Sequence, residues 1–335
     1  MQTVVLTPRE VRQLLPMADC MDWVAGALER LSSGQTLNPL RWGVRLPGGR
    51  GLLGLMPGYL DEPETLGLKA VAVFPGNHGS KYDAHQGVVV LFDPRIGVPT
   101  AIMDASEITA IRTAAASGVA TRLLALEAAD SLAIIGSGVQ ARTHLEAMLV
   151  ARPIRTVRLF SPQRDHCERL ARWFQPKTQA RVEVTSSARE AVEGAAIVCT
   201  TTSSSEPVVE GAWLRPGTHV NAVGACVPKA RELDSAAVAR ARMFVDCRES
   251  AVNESGDFLL AREEGAIGDD AIVGEIGEIL AGKLVGRNND EEITLFNSLG
   301  VAVEDLATAH HVALRALERG VGARIAFGGL RDAGD

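Results

Sequence analysis

Near the middle of the chain, Ser131-Leu-Ala-Ile-Ile-Gly-Ser-Gly-Val-Gln-Ala141 runs from an apolar, strand-like stretch directly into Gly-x-Gly-x-x-Ala. A helical pattern follows from Arg142 to Leu149, and a second strand-like run, Val157-Arg-Leu-Phe160, comes one crossover later. Strand, tight glycine turn, helix and strand in that order restrict a fold strongly. Gly136 permits the turn, Gly138 lets the backbone approach a pyrophosphate, and Ala141 lets the helix pack against the strand. Ser137, Val139 and Gln140 complete the turn. A purely structural glycine turn is the competing reading; the strand before it and the helix after it favour dinucleotide binding.

Strand-like runs continue at 181–184, 197–200, 219–223 and 243–246, with helix-like segments in most of the gaps. That alternation predicts a parallel sheet covered on both faces. The first third reads differently. Asp19 is a plausible N-cap for a helix whose face carries Met21, Val24, Ala25, Leu28 and Leu31. Residues 38–45 look extended, with Arg41 and Arg45 on one side if they form a strand. Runs at 69–74, 87–92 and 98–103 are strand-like, the last two joined by the turn composition Asp93-Pro-Arg-Ile-Gly97. From Ser298 to Leu317, Leu306, Ala309, Ala313 and Leu317 fall on one helical stripe.

The length of 335 residues accommodates two domains with separate cores. With only 4% aromatic residues, those cores fall to Ala, Val, Leu and Ile. A net charge of -7 argues against a nucleic-acid partner, which would require a concentrated basic face. No apolar run approaches membrane-spanning length, so no membrane partner is expected. The opening residues up to Pro8 are too short an apolar stretch for an export signal. Cys20, Cys167, Cys199, Cys226 and Cys247 are odd in number, widely spaced and free of any C-x-x-C pair. Neither a disulfide framework nor a metal site is expected, and a reducing cytoplasm is the expected compartment.

The end of the second strand of a dinucleotide fold selects the cofactor, since an acid there holds the 2′-hydroxyl of NAD. Here Ser161-Pro-Gln-Arg164 stands in its place, with no acid before Asp165. A hydroxyl and a guanidinium suit a 2′-phosphate, so NADPH is expected, with NADH open and a merely solvated Arg164 as the plain alternative. Three basic residues stand out elsewhere. Lys69 begins an otherwise apolar strand, where a charge needs solvent or a partner. Arg112 opens Arg-Thr-Ala-Ala-Ala-Ser-Gly118, and Arg41 lies in the extended segment. Two arginines and a lysine suit a carboxylate substrate; surface charges with unrelated partners are the competing reading.

The chain resembles the ornithine cyclodeaminase and mu-crystallin family over nearly its whole length. The resemblance rests on Leu55-Met-Pro57, the Lys69 strand, His85-Gln86, Arg112-Thr-Ala-Ala and Gly136-Ser-Gly-Val-Gln-Ala141. It continues through Asn221-Ala-Val-Gly224, Arg231-Glu-Leu-Asp234, Glu254-Ser-Gly-Asp257 and Ser298-Leu-Gly-x-Ala-Val-Glu-Asp305, all in one order. It implies an α/β chain with a Rossmann domain over residues 121–304. A second, α+β domain would be built from residues 1–120 and 305–335, binding substrate and forming most of a homodimer interface. It implies that Arg41, Lys69 and Arg112 bind the substrate carboxylate beside the nicotinamide. Thr201, Thr202, Val223 and Gly224 join the expected cofactor site, with Ser298 and Gly300 covering the nicotinamide edge. Met56, His85, Gln86 and Cys226 are ranked second, as substrate neighbours.

Members of this family differ in chemistry. Ornithine cyclodeaminases carry an aspartate where this chain has Cys226, and a glutamate two residues before Met-Pro, where it has Gly54. Both departures point away from ornithine cyclodeamination, and the first also away from alanine dehydrogenation. The sequence from Val223 to Asp234 is similar to the ketimine reductase type. Cys226 is read as a small packed residue. The expected reaction is NAD(P)H-dependent reduction of 1-pyrroline-2-carboxylate or 1-piperideine-2-carboxylate to proline or pipecolate. The alternatives are the two other family reactions and, in a different class, a non-catalytic NADPH-dependent binder of a small aromatic acid.

Overall fold

The computed structural model describes residues 2–77 and 80–327. The chain divides into two compact units, Met1–Arg112 with Val301–Asp335, and Thr113–Gly300.

The first unit holds β1 (Thr3–Leu6), β2 (Thr36–Leu37), β3 (Trp42–Arg45), β4 (Leu52–Asp61), β5 (Glu64–Val73), β6 (His85–Phe92) and β7 (Pro99–Asp104). With a terminal strand, Ala323–Ile325, they form one sheet in the order terminal strand, β1, β7, β6, β5, β4, β2, and β3 also pairs with β4. Every pairing is antiparallel except that of β1 with β7. The turn after β6 closes as its composition predicts: Asp93 Oδ1 accepts from Arg95 N at 2.9 Å, and Gly97 N donates to Asp93 O at 2.8 Å.

Two helices precede and follow Pro16. Helix α1 (Pro8–Leu14) starts on a capping box of Thr7 and Glu10. Helix α2 (Met17–Ser32) begins three residues earlier than an Asp19 cap would have it, with Pro16 at the cap position. Asp19 sits instead in the first turn, where the helix dipole favours an acid, and pairs with Arg315. Arg41 lies one residue outside β3, so it does not share a strand face with Arg45. The C-terminal helix, Ala302–Arg319, buries Leu306, Ala309, Val312 and Ala316. Leu317 is exposed, so the apolar stripe passes through Val312 and Ala316, one position back around the helix from the expected Ala313 and Leu317.

Helix α3 (Ala105–Leu124) spans the boundary in sequence between the units. The second unit then contributes β8 (Ser131–Ile135), β9 (Thr156–Phe160), β10 (Arg181–Val184), β11 (Ile197–Thr200), β12 (His219–Ala222), β13 (Ala241–Val245), β14 (Ile272–Glu275) and β15 (Ile293–Asn297). They form a parallel sheet in the order β10-β9-β8-β11-β12-β15-β13-β14. β8 and β11 are apolar and almost entirely buried, as strands covered on both faces must be. From β8 the chain first builds outward to β9 and β10, then returns to build β11 and β12 on the other side. The carboxyl ends of β8 and β11 therefore flank a topological switch point, where open α/β sheets bind ligands.

Candidate active site

The glycine turn sits at that switch point. Gly136 has φ +125° and donates its N–H to Phe160 O at 2.8 Å. A Cβ there would lie 2.6 Å from Thr201 Oγ1, so only glycine fits. Gly138 caps helix α4 (Val139–Ala151), so no cap side chain bonds to the N–H groups of its first turn. A Cβ on Gly138 would meet nothing within 4 Å, while Ala141 is fully buried. The first amides of α4 thus face open space, a backbone cradle of the kind that accepts phosphate oxygens. Beside it lies a recess of about 380 Å³ lined in part by Ser137, Val139, Arg142, His166 and Arg169. Gln140 Oε1 is buried without a partner among the described residues.

At the end of β9, the Ser161 hydroxyl donates to Gln163 Oε1 at 3.4 Å. Arg164 opens helix α5 (Arg164–Phe174), exposed, with its Nε donating to Glu168 Oε1 at 3.0 Å. At the end of β11, Thr201 donates N–H and hydroxyl to Ile135 O, at 2.8 and 3.2 Å. Thr202 N donates to Glu232 Oε1 at 2.6 Å, and Val223 N and Gly224 N, just beyond β12, donate to Glu232 Oε2 at 3.3 and 2.6 Å. Beyond β15, Asp246 Oδ2 accepts from Leu299 N and Gly300 N at 2.7 and 2.6 Å, which holds the Ser298–Gly300 bend in place. The Ser298 hydroxyl is buried with no partner among the described residues. Cys226 is half-buried and donates its thiol to Val223 O at 3.2 Å.

In the first unit, the sheet register aligns Met56, Lys69, Val89 and Met103 across β4 to β7. Directly opposed residues point to the same face, and all four are buried. A lysine in such a row needs a counter-charge. The C-terminal helix supplies it: Lys69 Nζ is 2.7 Å from Asp305 Oδ2. Arg112, also buried, donates Nε to Asp305 Oδ1 at 2.8 Å and Nη1 to Glu304 Oε2 at 2.7 Å. Asp305 therefore bridges Lys69 and Arg112. Burial, with the Arg112 and Arg41 charges, brings the Lys69 ammonium down to about 8 against the pull of Asp305. Burial pushes Asp305 up, but Arg112 and Lys69 outweigh it and hold that carboxyl below its usual range.

Two of the three basic residues thus converge on one carboxylate. Half-buried Arg41 contributes to their field. His85 and Gln86 do not join them: they pair with Val73 and Ala72, three to four residues along β5 from Lys69, and Gln86 donates to Asp83 O. That offset is about 10–13 Å of strand. The sequence reading assigned no role to Glu304, Asp305, Glu232 or Asp246. The signal that could have found them is an acid inside an otherwise apolar, buried stretch, which must have a donor to survive there. Among the described residues no group of His, Cys, Asp and Glu could hold a metal ion, and no helix is long and apolar enough to cross a membrane.

The strand order, the switch point and the glycine cradle of the second unit define a Rossmann-type dinucleotide-binding protein, whose first unit carries a buried cationic cluster. The sequence matches the model of the ornithine cyclodeaminase/mu-crystallin family over residues 1–320, and the chain belongs to that family. Mouse (Mus musculus) ketimine reductase mu-crystallin is 41% identical, over 82% of this chain and 84% of that protein. The structure of Thermococcus litoralis Delta(1)-pyrroline-2-carboxylate reductase in complex with NADH and L-proline superposes with a TM-score of 0.93 at 38% identity, covering 96% of this chain and 99% of that one. An archaeal alanine dehydrogenase dimer with bound NAD gives 0.92 at 34% identity, covering 98% and 100%.

Proposed function

We propose that this chain is an NAD(P)H-dependent reductase of cyclic imino acids, taking 1-pyrroline-2-carboxylate or 1-piperideine-2-carboxylate to proline or pipecolate. The observation that carries the reading is the buried Lys69–Asp305–Arg112 cluster, in a family whose close relatives are reductases of such imines. When bound, a reduced nicotinamide supplies the hydride. The chain's own part would be to hold the C=N carbon in reach of that hydride and to provide for the proton at nitrogen.

The residues of the chain divide the remaining work. Gly136, Ser137, Gly138, Val139 and Gln140 would hold the pyrophosphate on the first turn of α4. The open space above Gly138 and the uncapped amides fit it. The unpartnered Ser298 hydroxyl and the Thr201, Thr202, Val223, Gly224 and Gly300 segments suit the nicotinamide half. Ser161 and Arg164 favour a 2′-phosphate. The Arg164–Glu168 pair is exposed and worth only a few tenths of a kcal/mol, so the guanidinium can turn to a phosphate at little cost.

Arg41, Lys69 and Arg112 bind the substrate carboxylate. Glu304 and Asp305 fix the arginine so that little ordering remains when the substrate arrives. Lys69 Nζ, whose ammonium is brought down to about 8, can hold or release a proton towards the imine nitrogen. Met56, on the same face, supports an apolar ring. Cys226, bonded to a main-chain carbonyl, has a packing role, which fits a reaction that needs no base to strip an amine.

Two further assignments belong to the same reading. Trp42, Val44, Leu53 and Val88 are exposed on the sheet of the first unit, and an apolar sheet surface of that kind supports a homodimer. All five cysteines carry free thiols, in keeping with a reducing cytoplasm.

The test is a panel of NADPH-oxidation assays. Both cyclic imino acids should oxidise NADPH rapidly, while ornithine releases no appreciable ammonia. Faster oxidation with pyruvate and ammonia would make the protein an alanine dehydrogenase. Inertness towards every member of the panel would favour a cofactor-dependent binder.

A further inference from the structure

The motif Arg231-Glu-Leu-Asp234 finds no use in the reaction as described, yet it delivers a wholly buried carboxylate, Glu232, to the ends of two strands. Among the described residues no lysine or arginine lies within ion-pair distance of it. It is held by four donors instead: Thr200 Oγ1 at 2.8 Å, Thr202 N at 2.6 Å, Val223 N at 3.3 Å and Gly224 N at 2.6 Å. These belong to the carboxyl ends of β11 and β12. The approach is so close that a Cβ on Gly224 would lie 2.7 Å from the carboxyl carbon and 2.1 Å from Thr202 O.

A second buried acid supports the first. Asp257 Oδ1 accepts from the main-chain N–H groups of Glu232 and Leu233, at 2.9 and 3.0 Å. Its Oδ2 accepts from Asn297 Nδ2, at the end of β15, at 3.3 Å. Two carboxylates therefore tie together the carboxyl ends of three neighbouring strands, β11, β12 and β15. In a doubly wound sheet those strands form the second mononucleotide half, and β8 to β10 form the first.

Burying an acid without a cation is costly, and a fold that needed only cohesion could fill this space with apolar side chains. What a carboxylate offers here is acceptor-only chemistry on both oxygens, so four donors can be aimed at one point. A glutamine would turn an N–H against at least one of them.

We propose that Glu232, braced by Asp257, is a positioning residue for the nicotinamide half of the cofactor, and that it leaves the adenosine half alone. This rests on the dinucleotide reading of the site. The experiment compares wild-type protein with Glu232→Gln, titrating each with NADPH and with 2′-phospho-ADP-ribose, which lacks the nicotinamide. NADPH affinity should fall about tenfold or more, the equivalent of about 1.4 kcal/mol, with the ADP-ribose affinity unchanged. Equal losses for both ligands, or no loss for either, would overturn the inference and leave the cofactor reading standing. Failure of the wild type to bind either ligand would remove both. Should Glu232→Gln not fold, Thr200→Val deletes one of the four donors, and NADPH alone should then weaken about threefold. Weakening of both ligands together in that variant would count against the proposal.

Discussion

The two units bury charge in opposite ways. In the first, Lys69 and Arg112 meet Asp305 and Glu304, cation against anion, inside an apolar row of the sheet. In the second, Glu232, Asp246 and Asp257 are buried against main-chain N–H groups and neutral side chains. The first arrangement keeps cations in a dry place, where under the proposed function they meet a carboxylate ligand. The second uses buried carboxyl groups to fix the loops at strand ends. In the reading proposed above, charge in the first unit serves recognition and charge in the second serves geometry, and substitutions should separate the two.

The largest effect is expected at the bridge. Asp305→Ala leaves Lys69 and Arg112 as buried cations without their shared partner, which costs about 3–5 kcal/mol of stability; denaturant titration measures it. The milder Asp305→Asn tests the electrostatics. Under the proposed function Lys69 binds as a cation, and its ammonium is brought down to about 8, so kcat/KM for the imino acid should fall as pH rises through that value. Asp305 raises the Lys69 value, so its removal should move the break to lower pH. A break that stays where it was would remove Lys69 from the site.

Arg112→Ala should lower kcat/KM by about 100-fold, close to the 3 kcal/mol upper end for a charge-assisted contact. An effect confined to stability would turn the arginine into a strut. On the other side of the comparison, Arg164→Ala should weaken NADPH about tenfold and leave NADH nearly untouched. Equal effects on both cofactors would mean that the exposed Arg164–Glu168 pair takes no part in selection.

The sequence made the second unit easier to read than the first. Its six anticipated strands are short runs of ordinary length, most of them apolar, and the strand before the glycine turn and the helix after it favour one reading of that turn. β14 and β15 were both missed: β14 is only four residues long, and the five buried residues in a row of β15 carry no period that separates strand from helix. β15 lies between β12 and β13, a neighbour that chain order does not suggest. In the site, Lys69 and Arg112 were legible as charges in apolar surroundings. Their acids were not, because Glu304 and Asp305 look like ordinary first-turn residues of a helix until the sheet register brings Lys69 beneath them. Glu232 was hidden for a related reason: main-chain donors leave no mark in a sequence.

The smallest effect is expected at Cys226. Its thiol donates to a carbonyl, a role that serine can fill, so Cys226→Ser should change kcat/KM by less than about threefold. A variant as inactive as Arg112→Ala would make the thiol a working acid or base and return the alanine dehydrogenase and cyclodeaminase readings to contention.

The most direct measurement follows the hydride itself. 1-Pyrroline-2-carboxylate is incubated with NADPH carrying deuterium at the transferable position of its nicotinamide, and the product is analysed by mass spectrometry and NMR. The account predicts proline with one deuterium at C2, formed in step with NADPH oxidation. Unlabelled proline, or no proline while pyruvate and ammonia give labelled alanine, would contradict it.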